Sequence, residues 1–134
     1  METLSSLKGR GAYILFIKLA SAKKIKIGRL GEFHFKPGIY LYVGSAMKGF
    51  NTRIPRYING PVRKHWHIDY LLEFAELLAI LLIPSDEKIE EAVAAKLGTV
   101  FSSPIKGFGS SDTSSFAHLF YLSDIKGGNE EGVV

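Results

Sequence analysis

The sequence predicts an α+β domain, in which helices flank a small antiparallel β-sheet, and three observations lead to this prediction. The first third of the chain consists of short segments rich in β-branched and aromatic residues, separated by glycine and proline turns. Helical patterns with capping residues follow only after residue 49. The 134 residues, 46% of them hydrophobic, are enough for one core and too few for two ordinary domains.

Four strands are expected in that first third. A nearly continuous apolar run predicts a mostly buried strand at 11–19, and a further strand is expected at 39–43. Charged and apolar residues alternate at 24–27 and again at 32–36, which is typical of half-exposed strands. These two segments predict a hairpin over about 24–36.

Two helical segments follow the strands. Residues 50–58 predict a short helix with Asn51 or Thr52 as its N-cap. Pro55 would then lie in the first turn, where its missing N–H group costs little. A second helical stretch is expected at 67–75.

The second half of the chain adds a strand, a helix and a final strand. The apolar run at 77–83 predicts a buried strand, and residues 85–97 predict the clearest helix, with Ser85 as its cap and a glycine directly after it. A loop rich in glycine and serine is expected at 98–115, and a last strand at 117–122.

One domain is expected over residues 9–122, between a flexible N-terminus at 1–8 and a flexible tail at 123–134. The absence of cysteine excludes disulfides, cysteine-ligated zinc and cysteine nucleophiles. The longest apolar run, 77–84, is too short to span a bilayer, and the first residues carry no secretory signal. We therefore expect a cytoplasmic protein with no membrane partner.

Charge is divided unevenly along the chain. Residues 1–64 carry thirteen lysines and arginines against two acids, whereas residues 65–134 carry four against eleven. No acid lies between Glu32 and Asp69, which is typical of a surface that binds a polyanion. A solvated face balanced by the acidic half would look the same. The expected nucleic-acid contacts are Lys48, Arg53, Arg56, Arg63 and Lys64.

A pair of tyrosine motifs carries a resemblance to a known superfamily. Gly11-Ala-Tyr13 and Tyr42-Val-Gly44, followed by Arg53, resemble the pattern of the GIY-YIG nucleases. The literal string Gly38-Ile-Tyr40 lies too close to Tyr42 for the two halves to occupy neighbouring strands. The resemblance implies two tyrosines on adjacent strands, an arginine on the next helix and a glutamate on a later helix. It also implies that the hairpin at about 24–36 is an inserted hairpin, because the gap between Tyr13 and Tyr42 is longer than is usual in the superfamily.

Three longer segments are similar to one branch of that superfamily, the domain of unknown function 123 family of prokaryotes. They are GIYLYVGSAMKGFNTRIPRYI, KHWHIDYLL and GFGSSDTSSFAHLFYL, and the resemblance covers nearly all of residues 9–122. It implies a nuclease-like domain that hydrolyses nucleic-acid phosphodiester bonds, DNA in preference to RNA, with Mg²⁺ or Mn²⁺. In this scheme Tyr42 acts as base or water-positioner, Tyr13 supports it, and Arg53 clamps the phosphate.

The metal-binding glutamate is sought on the helix at 85–97. Its apolar stripe consists of Ile89, Val93 and Leu97, so that Glu91 is expected to point to solvent while Glu90 flanks the stripe. The family pattern also places its helix acid about here. Glu90 is therefore the expected metal ligand, with Glu87 and Glu91 as alternatives.

A second polar group involves His67, Asp69, Asp112 and His118. The 107–112 loop is expected to fold back near the segment that contains His67, so that an aspartate hydrogen-bonds a histidine at the edge of the tyrosine cleft. Such a pair would protonate the leaving group, or would only pin the loop to the core. His67, Asp112 and His118 are thus candidate catalytic residues. Two other functions stay open: a non-catalytic nucleic-acid-binding module on a degenerate nuclease scaffold, and a small-molecule site built on these histidines and aspartates.

Overall fold

Nine helices and strands are present in the computed structural model, which describes residues 7–60, 63–109 and 117–125. The expected α+β class is confirmed. In chain order the elements are β1 Gly11–Leu19, β2 Lys23–Ile27, β3 Gly31–Phe35, β4 Gly38–Ala46, α1 Phe50–Asn59, α2 His67–Leu72, β5 Glu76–Pro84, α3 Glu90–Gly98 and β6 Leu119–Ser123.

The central sheet places the two tyrosine motifs on neighbouring strands. Its four described strands are antiparallel, in the order β5-β1-β4-β6. In the β1–β4 register Tyr13 lies opposite Gly44, and Leu15 lies opposite Tyr42. Because side chains alternate along a strand, Tyr13 and Tyr42 project from the same face of the sheet.

The expected hairpin is present, as a separate two-stranded sheet of β2 and β3. Its buried residues join α1, α2 and the tyrosine face of the central sheet in one large core. The opposite face of the sheet packs a smaller core against α3, which includes Ile14, Val43 and Ala94. The chain thus places two helices and the hairpin on the tyrosine face and a third helix behind it.

β5 is not the buried strand that the sequence predicts. It is an edge strand, and most of its side chains are exposed or half-buried, among them Leu78 and Leu81. Apolar composition distinguishes a strand from a loop, but only long-range pairing decides whether a strand lies at the centre or the edge of a sheet.

Both expected helix caps are wrong. Gly49 precedes α1 without a side-chain cap, so Pro55 is the sixth helical residue and not part of the first turn. α3 begins only at Glu90, and the hydroxyl of Ser85 accepts the N–H of Glu87 over 3.0 Å in a local turn before the helix. The N–H of Ser85 donates to the carbonyl of Arg10, which fixes this residue beside β1.

No helix among residues 7–60, 63–109 and 117–125 is long and apolar enough to cross a membrane.

Candidate functional site

An open cleft of about 600 Å³ lies on the tyrosine face of the sheet, beyond the end of β4. It is formed by β4, the loop after it, α1, the start of α2 and the segment that leads into α3. The polar and charged residues that line it include Tyr42, Lys48, Arg53, His67, Lys88 and Glu90. A concave site with convergent polar groups is the usual form of a binding or catalytic centre.

Tyr13 lies beneath this cleft and has no exposed surface. Its hydroxyl forms a hydrogen bond with that of Tyr57, which is on α1. Gly44, opposite Tyr13 in the register, leaves the space that the Tyr13 ring occupies, since a Cβ there would overlap the ring. Tyr13 therefore supports the cleft from within the core, and Tyr42 forms part of its wall.

Three neighbours hold the guanidinium of Arg53. Its Nη1 donates to the carbonyl of Ser45 over 2.8 Å, and the hydroxyl of Tyr13 lies beside it. The ring of Trp66 lies against it, with 4.2 Å between Cζ and the ring centroid. Burial alone would lower the pKa of Arg53, but the neighbouring tyrosine hydroxyls raise it. The cleft therefore contains a fixed cation.

Arg56, one of the expected nucleic-acid contacts, is committed to the protein itself. It forms an ion pair with the buried carboxylate of Asp69 and lies 4.2 Å from the Trp66 ring centroid. The same Asp69 oxygen accepts the backbone N–H groups of His65 and Trp66, each over 2.8 Å. Asp69 thus ties the start of α2 to α1 and holds Trp66 beside Arg53.

Burial keeps the hydroxyls of Tyr13 and Tyr42 protonated at neutral pH. Burial raises the pKa of Tyr42 well above its usual range, and Tyr13 and Glu90 raise it further, while Arg53 opposes them. Burial likewise raises the pKa of Tyr13, against the effects of Tyr57 and Arg53. In this state Tyr42 can donate a hydrogen bond to a group in the cleft.

Glu90 lines the cleft as expected, and the fully buried His118 lies behind it. His118 Nδ1 lies 3.2 Å from an oxygen of Glu90, and its Nε2 lies 3.3 Å from an oxygen of Glu91. Glu91 therefore does not simply point to solvent. Burial lowers the pKa of His118, but the two carboxylates outweigh it and the net shift is upward.

The loop after α3 returns to the cleft, as the sequence predicts. The N–H of Gly109 donates to Nδ1 of His67 over 2.9 Å, and both residues line the cleft. Burial lowers the pKa of His67. With Nδ1 as acceptor, the neutral ring carries its proton on Nε2. Asp112 lies outside the described residues, and the carboxylate of Asp69 bonds the backbone of His65 and not an imidazole.

The other residues expected to contact nucleic acid are divided between the cleft and a neighbouring pocket. Lys48 lines it, whereas Arg63 and Lys64 line a neighbouring pocket, where Lys64 lies 3.2 Å from Glu73. Glu87 is exposed and does not line the cleft.

Sequence reasoning missed Tyr57, Trp66 and Lys88 as contributors to the site. Tyr57 lies one turn beyond Arg53 on α1, a spacing that could have indicated a shared helix face. Trp66 lies between His65 and His67, and the sequence pattern indicated a histidine, not the tryptophan, as the site residue. Lys88 carries no local signal, because only the fold brings it to the cleft.

No cluster of three or more histidine, aspartate or glutamate side chains that could hold a metal occurs in the described parts of the chain. Glu90 is the carboxylate that lines the cleft. One carboxylate suits Mg²⁺ when substrate phosphates and water complete the coordination, but it does not suit a metal that needs an all-protein site. The donor set thus fits a cation that binds together with a phosphate.

Comparison with known proteins gives a single family. The family model described as Domain of unknown function DUF123 matches residues 12–131, which is nearly the whole chain. No curated protein and no solved structure matches the chain.

Proposed function

The chain belongs to the family described as Domain of unknown function DUF123, and we propose that it is a nuclease-like domain that hydrolyses phosphodiester bonds of nucleic acid. The proposal includes kinship with the GIY-YIG superfamily, a preference for DNA over RNA, and use of Mg²⁺ or Mn²⁺. One observation carries it: Tyr42, Arg53 and Glu90, which are distant in the sequence, line one cleft. Their shared position supports a site for phosphate chemistry.

Arg53 is the proposed phosphate clamp. Its guanidinium is already held by Ser45 and Tyr13, so little side-chain entropy is lost when a phosphate binds. A guanidinium presents several N–H groups in one plane, which matches two phosphate oxygens at once. Lys48 and Lys88 add positive charge to the cleft and can contact the flanking phosphates.

Tyr42 is proposed as the residue that positions the attacking water. Its raised pKa keeps the hydroxyl protonated, so that it orients a water by hydrogen bonding. The proton that this water loses on attack passes to solvent through the open cleft. Glu90 would hold the divalent cation, which supplies Lewis-acid polarisation of the phosphoryl oxygens. His67, whose neutral ring carries the proton on Nε2, is proposed to donate a hydrogen bond to the leaving oxygen.

A second candidate is a nucleic-acid-binding module without turnover. The pairing of Glu90 with His118 favours it, because an imidazolium beside a carboxylate competes with a cation for that carboxylate. Both candidates share Arg53 and the basic cleft residues, and they differ in whether Glu90 supports catalysis.

The test is cleavage of a panel of branched, damaged, single-stranded and double-stranded substrates, with and without Mg²⁺ or Mn²⁺. We expect metal-dependent cleavage by the wild type and a loss of at least about 100-fold in Glu90→Gln, the scale of one electrostatic contact to the transition state. Nucleic-acid binding should be nearly intact in that variant. Glu87→Gln, an exposed neighbour outside the cleft, is the matched control and should keep wild-type activity.

Each outcome separates the candidates. Binding without cleavage of any substrate supports the non-catalytic module. Full activity in Glu90→Gln means that another group performs its role. If the wild type neither binds nor cleaves any substrate, both nucleic-acid functions are wrong.

A further inference from the structure

The outer edge of β5 is an apolar surface with exposed leucine side chains. β5 pairs with β1 on one side and has no described strand on the other. Its nine residues, ELLAILLIP, contain no charged residue after Glu76 and no proline before Pro84. Within the described parts of the chain, the backbone along this edge has no strand to pair with, and leucine and isoleucine side chains flank it.

Large apolar side chains surround that edge on both faces of the sheet. On the α1 face, Leu78 is 47% exposed and Ile58 is 53% exposed, and both line a shallow apolar groove. On the α3 face, Leu81 is 49% exposed. The exposed surface is thus a continuous band around the edge, and not a single protruding side chain.

Natural proteins protect sheet edges, and the other edge of this sheet is protected. β6 is short, and residue Tyr121 in it forms a bridge with Ser102 on its outer side. Lysine, proline or an inward-pointing charge usually blocks a long edge strand. The interior of β5 has none of these. A register shift at Leu78 interrupts its pairing with β1, and the stretch over residues 79–83 beyond that shift is open to pairing with another strand.

We propose that a second copy of this chain covers the edge, with the two β5 strands paired antiparallel about a two-fold axis into one eight-stranded sheet. Antiparallel pairing centred on Ile80 puts Ala79 opposite Leu81, a small residue against a large one. It also puts Glu76 opposite Pro84, so that no two carboxylates face each other along the strand. The strand is therefore complementary to itself.

Symmetry and size also favour a second copy. A two-fold interface uses the same surface on both chains and leaves no open edge, so that assembly stops at the dimer. Nine residues extend over about 30 Å, so the paired strands would meet along a long contact, which Leu78 and Leu81 widen on the two faces of the sheet. This inference is independent of the proposed nuclease function.

The experiment measures the mass of the full chain in solution by light scattering coupled to size exclusion, and by sedimentation, over a range of concentrations. We expect twice the chain mass of 14.8 kDa. Leu81→Lys, and Leu78→Lys together with Leu81→Lys, place charges in the pairing band and should raise the dissociation constant at least about 100-fold. Val100→Lys is the matched control, since Val100 is 71% exposed and lies outside the band, and it should remain dimeric.

Circular dichroism checks that each variant is folded. We expect both to fold, because Leu78 and Leu81 are already half exposed. Hydrogen exchange of the β5 amides is followed in parallel and should slow as the concentration rises. A wild type that stays monomeric at all concentrations overturns the proposal, whether its β5 amides exchange fast or are protected by the chain's own residues. A dimer that survives both lysine variants also overturns it, because it would use another surface.

Discussion

His118 is a buried histidine held between two carboxylates, and this position makes folding stability depend on pH. Its ring nitrogens lie 3.2 Å from Glu90 and 3.3 Å from Glu91, and its pKa in the folded protein is raised. A histidine whose pKa is higher in the folded than in the unfolded state stabilises the fold fully below about pH 6.5. That contribution is lost as the pH rises through the raised pKa.

We therefore expect wild type and His118→Gln to differ more in their free energy of unfolding at about pH 6 than at about pH 9. Glutamine retains polar atoms but cannot take up the charge. Urea unfolding of both proteins at each pH gives the comparison. Equal differences at the two pH values would show that His118 contributes by packing and not by charge.

At the scale of elements, one carboxylate joins α1 and α2. Asp69 pairs with Arg56 and accepts two backbone N–H groups at the start of α2, and its side chain is 1% exposed. Asn at this position would keep an acceptor but would leave the Arg56 charge half-buried and unpaired. Removing one partner of a buried ion pair typically costs about 3–5 kcal/mol.

Asp69→Asn is accordingly expected to lower the free energy of unfolding by about 3 kcal/mol or somewhat more. Asp86→Asn is the control, because Asp86 pairs with Arg10 over 3.5 Å at the surface and such pairs contribute about 1 kcal/mol or less. Denaturant unfolding of the two variants measures the contrast. Equal losses would mean that the Asp69 ion pair adds nothing beyond a surface pair.

The elements that could be predicted from the sequence are those whose signals are local. β1, the hairpin and β4 follow from residue composition and alternation, and α1 follows from its helical pattern. The start of α3 could not be predicted, because Ser85 is held by Arg10 across the fold. The edge position of β5 likewise depends on strand pairing, which composition does not encode.

The candidate site also has features that could be predicted from the sequence and features that could not. The resemblance in motif and spacing was enough to expect Tyr42, Arg53 and Glu90 at one site, and all three line the cleft. Their electrostatics could not be predicted, because burial sets the pKa of Tyr42 and burial is a property of the packed molecule. The ion pair of Arg56 could not be predicted either, because its partner Asp69 lies on a separate helix.

Across the whole molecule, the basic residues at the cleft should make nucleic-acid binding depend on salt. Each phosphate neutralised by a protein cation contributes about −0.9 to the slope of log K against log salt concentration on duplex DNA. With Lys48, Arg53 and Lys88 lining the cleft, we expect a slope of about −3.

Lys48→Ala should reduce that slope by about 1, whereas Lys96→Ala, an exposed lysine of the last α3 turn outside the cleft, should not change it. Arg56 is left unchanged in this series, because its replacement would break the buried pair with Asp69. Fluorescence anisotropy of a labelled oligonucleotide over a salt titration gives the slopes. A slope near zero would indicate that any binding does not involve phosphate neutralisation at the cleft.

Trp66 is the chain's single tryptophan, and it lies in the wall of the cleft with the Arg53 guanidinium 4.2 Å from its ring centroid. Indole emission responds to the charges and solvent around the ring, so nearly all of the protein's emission under selective excitation originates at this wall. The unmodified protein thus carries its own optical reporter. A titration of any compound that enters the cleft can be followed by emission wavelength and intensity, without a label or a known reaction.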